Sequence, residues 1–291
     1  KEALDTGWHL ACPARGPHVA NAVLTRKYKD STLTLVISLA AGMRRVDFDL
    51  RVDWLERGSR QIGIPGLKVH FPVNVNADSA TFECPNGFVE RPNDGHEVPS
   101  QKWMDLTGTG EGIAEPVGVT VLNDCKYGHS ANRNDLTTTL IRSSFDPDPL
   151  PELGDHHIRY AVIPHVSVWT AADATRAGYD FNLPLNVIGT DTHQGELPAS
   201  QAFVEVLTPN VLLGTLKQAE DSEALVVRVY EVNGEACRAQ VKLAAGLVPA
   251  SAKARQASVL EVPSEINTAR FDGEVVSVDL PAFGMATVIL A

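Results

Sequence analysis

Basic residues are in deficit, cysteine is sparse and no long apolar run occurs in this chain of 291 residues. Each shortage removes a class of function. With 25 Lys and Arg against 36 Asp and Glu, the formal net charge is −11. The two signs are interspersed and no basic patch forms, so a surface tracking nucleic-acid phosphates is not expected. The acidic balance reads as a solvated surface that keeps the protein dissolved. No apolar stretch approaches the roughly 18 residues of a membrane helix, so no membrane partner is expected. Cys12, Cys84, Cys125 and Cys237 lie far apart without a C-x-x-C pair. Metal-ligand spacing is therefore absent, a disulfide scaffold is implausible at this size, and free thiols in a reducing compartment are the expectation. None of the nine histidines forms H-x-x-x-H on a helix. His156 and His157 are adjacent on an expected strand and so point to opposite faces, and no metal is expected on this chain alone. G-x-S-x-G, P-loop and G-x-G-x-x-G signatures after a strand are missing too. Lys1 opens the sequence without a methionine or a secretion signal, which fits an excised fragment or a processed chain.

What is present is period-two alternation, the pattern of strands with one buried face. Val46, Phe48, Leu50, Val52 and Trp54 alternate with Asp47, Asp49, Arg51 and Asp53, and Leu33, Leu35, Ile37 and Leu39 do the same upstream. Similar runs lie at 67–71, 117–122, 136–141, 158–163, 203–207, 225–230, 239–243, 275–280 and 286–290. Ala41-Gly42, Asn86-Gly87, Asn233-Gly234 and Asp272-Gly273 supply turns, with Asn233-Gly234 the strongest hairpin signal. Only residues 166–179 suggest a helix. Many strands with almost no helix predict an all-β sandwich architecture. Residues 90–118 and 145–155, rich in Pro, Asn, Asp and Gly, are expected to be long loops. A polar break at 189–200 places a domain boundary there, giving a larger domain over 1–195 and a smaller β-sandwich over 196–291.

Sugar-cleaving enzymes use two carboxylates about 5 to 10 Å apart. Among 36 acids some pairing is inevitable, so most read as the polar faces of strands or as turns. The segment Val119 to Ser130 is more informative. An apolar strand ends in Asn123, Asp124, Lys126, Tyr127 and Gly128, gathering amide, carboxylate, ammonium and phenol groups at one strand end. Such groups suit bidentate hydrogen bonding to vicinal hydroxyls, with an aromatic face against the C–H surface of a sugar ring. An ordinary polar turn is the competing reading.

That segment resembles a stretch of the family 38 α-mannosidases, especially their bacterial and cytosolic type. The resemblance extends to Arg45-Val46-Asp47-Phe48-Asp49 with Val52-Asp53-Trp54-Leu55-Glu56-Arg57, to Leu67-Lys68-Val69-His70-Phe71-Pro72-Val73, and to Glu97-Val98-Pro99-Ser100-Gln101-Lys102-Trp103-Met104-Asp105-Leu106. It continues through Leu140-Ile141-Arg142-Ser143-Ser144, Tyr160-Ala161-Val162-Ile163-Pro164-His165 and Val227-Arg228-Val229-Tyr230-Glu231. It implies a large galactose-mutarotase-like β-sandwich followed by a smaller β-sandwich, the carboxy-terminal portion of a retaining enzyme of terminal α-mannosides. The family's aspartate nucleophile and zinc ligands belong to a preceding catalytic domain, and nothing here resembles those segments. The chain alone is therefore expected to be inactive and zinc-free. Its implied partners are α-mannoside glycans and its own amino-terminal catalytic domain, homo-oligomer assembly is left open, and the implied setting is cytoplasmic.

Matched position by position, the candidates for the substrate rim or the domain interface are Asn123, Asp124, Lys126, Tyr127 and Arg142. Tyr127 is expected to contact sugar or to hydrogen-bond a catalytic carboxylate. Arg142 is expected to donate paired hydrogen bonds to ring hydroxyls, or, like Lys126, to form a salt bridge across the interface. In the isolated chain these polar groups are expected to stand unsatisfied beside an apolar patch. A carbohydrate-binding module without catalysis, a mutarotase-type epimerase and a purely structural domain are the competing readings. The first wants an exposed aromatic platform, for which four Trp and five Tyr offer little. The second wants a facing His and Glu for which no motif appears.

Overall fold

The computed structural model describes residues 2–166 and 169–291. The chain divides into two compact units. The first comprises Lys1–Cys84, Val89–Trp169 and Ala177–Pro184; the second comprises Pro85–Phe88, Thr170–Arg176 and Leu185–Ala291.

The strands of the first part of the chain are β1 (His9–Ala11), β2 (Val19–Tyr28), β3 (Ser31–Ala40), β4 (Val46–Trp54), β5 (Gly66–Pro72), β6 (Ser79–Cys84) and β7 (Gly87–Pro92). They continue with β8 (Val98–Pro99), β9 (Trp103–Gly108), β10 (Val117–Asn123), β11 (Gly128–Asn132), β12 (Asp135–Arg142) and β13 (Gly154–Val166). Among the described residues they build a nine-stranded sheet, ordered β1-β2-β3-β4-β13-β10-β9-β6-β7, and a four-stranded sheet, β5-β12-β11-β8. The alternation read in β4 turns Leu50, Val52 and Trp54 inward and leaves Arg51 and Asp53 exposed. These join Leu33, Ile158 and Tyr160, and meet Leu140 and Ile141 from β12. A second cluster packs Phe82, Met104, Leu106 and Val121 on Ala131 and Leu136. Each large side chain so buried stabilises the unit by about 1.5–3 kcal/mol.

One expected loop is not a loop. Residues 90–118 contain β8, β9 and the end of β7, and Trp103, Met104 and Leu106 are among the most deeply buried side chains. Alternation fails in β9 because both of its faces are covered. Its interior carboxylate, Asp105, is satisfied by Thr107 at 2.6 Å, Thr120 at 2.7 Å and His165 at 2.8 Å. A carboxylate within the buried stretch Trp103–Leu106 looks like a turn signal in the sequence. Of the loop expected over 145–155, residues 145–153 carry no strand, whereas Gly154 and Asp155 open β13.

The helix expected over 166–179 is α1 (Ala171–Asn182), and residues 167–168 of that expectation lie outside the described residues. Thr170 caps it reciprocally. Its hydroxyl accepts the Asp173 N–H at 3.3 Å, while Asp173 accepts the Thr170 N–H at 2.9 Å.

The second unit contains β14 (Val204–Val206), β15 (Val211–Gln218), β16 (Leu225–Glu231), β17 (Cys237–Leu243), β18 (Ala254–Ala257), β19 (Arg270–Phe271), β20 (Val275–Leu280) and β21 (Met285–Leu290). Two four-stranded sheets, β14-β17-β20-β19 and β15-β16-β21-β18, enclose a core that includes Val227, Val229, Val241, Val276 and Val288. Asp272-Gly273 closes the β19–β20 hairpin. Asn233-Gly234, the strongest hairpin signal in the sequence, does not close one: β16 and β17 lie in different sheets. The tight turn is real, with Gly234 at φ +79°, but it passes the chain between layers.

Candidate functional site at one end of the four-stranded sheet

β10 carries the chain into the candidate site, and β11 and β12 carry it out. Asn123, the last residue of β10, is buried. Its amide donates to the Gln101 carbonyl at 2.6 Å, and its Oδ1 accepts the Lys126 N–H at 2.9 Å. Asn182 of α1 donates to its carbonyl at 3.1 Å. Asp124 accepts from the Arg159 N–H at 3.2 Å and from Arg159 Nε at 2.9 Å. Asn123 and Asp124 thus build the turn from inside the first unit, which corrects the expectation that they stand unsatisfied. The strand end needs these groups because a terminating strand leaves backbone groups that must still be paired.

Behind the turn, His129 is fully buried, with ring nitrogens 3.2 Å from Asn123 Nδ2 and 3.0 Å from Thr138 Oγ1. Burial pushes its pKa down to about 4, against the upward pull of a hydrogen bond to the Lys126 backbone and of the Glu97 charge. The imidazole is neutral at pH 7 and serves as a spacer between strands. Partial desolvation, then the hydrogen bond and charge of Asp124, push the thiol of the exposed Cys125 up to about 12, which disfavours its thiolate.

Three candidates have side chains that approach solvent. Lys126 is mostly covered, its Nζ 3.8 Å from Glu152 Oε2. Tyr127 is 56 % exposed, while its carbonyl accepts the Ser100 N–H at 3.0 Å. Arg142 ends β12 as an exposed residue between buried Ile141 and Ser143. Ser143 fixes that end twice: its hydroxyl accepts Trp54 Nε1 at 2.6 Å and its N–H donates to Pro65 at 2.8 Å. Because Gly128 faces Thr139 across β11 and β12, Tyr127 and Arg142 emerge at the same end of the sheet.

Sequence reasoning missed Glu97. Its carboxylate accepts from Lys68 Nζ and from Thr139 Oγ1 at 3.0 Å. Burial raises its pKa, but the hydrogen bonds of Lys68 and Thr139 and the charges of Lys68 and Arg142 outweigh it, and the net shift is downward. Alternation in β5 and β12 already places Lys68 and Thr139 on the outer face. The arrival of Glu97 there depends on the pairing of β8 with β11, which no local pattern announces.

Among the described residues, no group of three or more His, Cys, Asp or Glu side chains is arranged to hold a metal ion. The described residues do not fit zinc. No helix of the described residues is long and apolar enough to cross a membrane.

Residues 8–150 match the model of the glycosyl hydrolases family 38 C-terminal domain, and residues 210–283 that of the family 38 C-terminal beta sandwich domain. Human alpha-mannosidase 2C1 is 34 % identical over 217 residues, covering 70 % of this chain and 19 % of that protein. Alpha-mannosidase of Saccharomyces cerevisiae is 31 % identical over 196 residues, covering 58 % of this chain and 17 % of its own length. The chain thus spans about a fifth of the length of the curated relatives it matches. The crystal structure of an alpha-mannosidase from Enterococcus faecalis superposes with a TM-score of 0.78 at 15 % identity, over 99 % of this chain and 35 % of that one, which establishes a shared fold. With both family domains matched in order on an all-β architecture of paired sheets, the chain belongs to glycosyl hydrolase family 38, as its carboxy-terminal β portion.

Proposed function

We propose that this chain is the non-catalytic β portion of a longer retaining α-mannosidase, and that its four-stranded sheet end completes the rim of a pocket for terminal α-mannosides. The observation that carries this reading is the pair Tyr127 and Arg142, an exposed phenol ring and an exposed guanidinium on one sheet end whose supporting residues are buried. A guanidinium presents paired donors that match vicinal hydroxyls, and an aromatic ring covers the C–H face of a sugar. Lys126 takes part at the edge, whereas Asn123 and Asp124 hold the turn. In this reading the nucleophile and the zinc belong to an amino-terminal catalytic domain against which the β portion packs, and the two domains of this chain meet within 189–200. The unbridged Cys12, Cys84, Cys125 and Cys237 suit a reducing, cytoplasmic setting.

Kinetics of the full-length enzyme on an aryl α-mannoside test this. Tyr127→Phe removes one hydroxyl, a loss of about 0.5–1.5 kcal/mol, so kcat/KM should fall about three- to tenfold with an unchanged melting temperature. Arg142→Ala should cost more, since it removes a charged donor from a desolvated rim. Wild-type kinetics combined with early melting in both variants would mean that the pair only holds the fold.

A further inference from the structure

We propose that Glu97 is the positioning residue for Arg142: its carboxylate sets the direction in which the guanidinium faces at the sheet end. The proposal rests on the reading of Arg142 as a sugar-rim residue. Lys68 faces Thr139 across β5 and β12, and Thr139 faces Gly128 across β12 and β11, so the three form one row on the outer face. The Glu97 carboxylate lies on that row. One oxygen takes the Lys68 ammonium and the Thr139 hydroxyl. The other stands 2.9 Å from where a Cβ on residue 128 would be, so the bare Gly128 is what makes room for it.

The next row begins after the irregularity between Thr139 and Ile141. There Ile141 pairs with Leu67 and is buried, and Arg142 pairs with Gly66. Arg142 therefore leaves the strand on the same face as Lys68 and Thr139, one row beyond the carboxylate. Its positive charge contributes, after Lys68 and Thr139, to holding the Glu97 carboxyl below its ordinary pKa. Gly66 offers no side chain of its own to fix the guanidinium. The negative charge already pinned by two donors can do so.

Stability does not account for this arrangement. The Lys68–Glu97 pair is 40 % and 42 % exposed, and exposed ion pairs add little to folding. A fixed carboxylate beside a long, flexible cation has a different consequence, since it holds the cation in its binding direction before the ligand arrives.

The test is Glu97→Gln in the full-length enzyme, which keeps the size and removes the charge. KM for an aryl α-mannoside should rise about three- to tenfold with kcat within about twofold, as loss of uniform binding requires. The melting temperature should not move, and the variant should add nothing to Arg142→Ala. Gly128→Ala, which crowds the carboxylate without altering any charge, should reproduce the KM rise and serves if Glu97→Gln folds poorly. Wild-type KM in both variants, or a loss that adds to that of Arg142→Ala, overturns the proposal while the rim reading stands. Unchanged kinetics in Arg142→Ala overturn the rim reading and this proposal with it.

Discussion

His129 sits between Asn123 and Thr138 with no exposed surface, and burial moves its pKa from 6.5 to about 4. In the unfolded chain the imidazole takes a proton near pH 6.5; in the folded unit it resists until about pH 4. Unfolded molecules therefore bind more protons throughout that window, and stability falls as the pH drops through it. The contribution is complete above pH 6.5, and about 3 kcal/mol of it is lost by pH 4. Urea titrations at pH 7.5 and 4.5 should reveal this loss, and His129→Gln should remove that part of the pH dependence. A variant as acid-sensitive as the wild type would place the effect elsewhere. At this scale the sequence was partly legible. The residues gathered at 123–130 are those that form the strand end, but their types alone did not separate Asn123 and Asp124, which pair inward, from Tyr127, which faces solvent. That division depends on Arg159 and Gln101, which come from other strands and loops.

Between single residues and whole sheets, the connection after β16 is organised around one carboxylate. Glu231 is fully buried and accepts five hydrogen bonds: from Asn210 at 2.8 Å and from the backbone N–H groups of Asn233, Gly234, Glu235 and Phe283 at 2.7 to 3.1 Å. A carboxylate with all its acceptor capacity engaged fixes the turn that passes the chain from one sheet to the other. Glu231→Gln would set an amide N–H₂ against N–H donors, and should cost about 2–4 kcal/mol by urea unfolding. A change under 1 kcal/mol would mean that the turn holds itself, in line with a lone surface hydrogen bond. The Asn233-Gly234 signal identified a tight turn correctly. It could not say which strands the turn joins, because the backbone geometry of a turn is local while sheet membership is set by burial on both sides.

At the scale of the whole molecule, residues 183–203 are exposed throughout. Leu185, Val187 and Ile188 are 94 %, 92 % and 86 % exposed, and no strand or helix covers 184–203. Exposed backbone without element hydrogen bonds is where proteases cut first. Limited thermolysin digestion should therefore nick the chain at Leu185–Ile188 and leave two β-rich pieces. First cleavage inside β9 or β16 would contradict both the burial pattern and a domain boundary within 189–200.

Alternation determined the all-β class by itself, because a strand with one covered face writes its period directly into the residues, as β4 does from Val46 to Trp54. The ordered motifs determined the family for a related reason, since they are runs of adjacent residues. Tertiary structure decided the rest. It made β9 a strand with both faces buried around Asp105, sent the Asn233-Gly234 turn between sheets, and brought Glu97 over Gly128 beside the row that leads to Arg142. These depend on residues far apart in the chain sharing one desolvated or hydrogen-bonded place, and only the folded sheet brings them together.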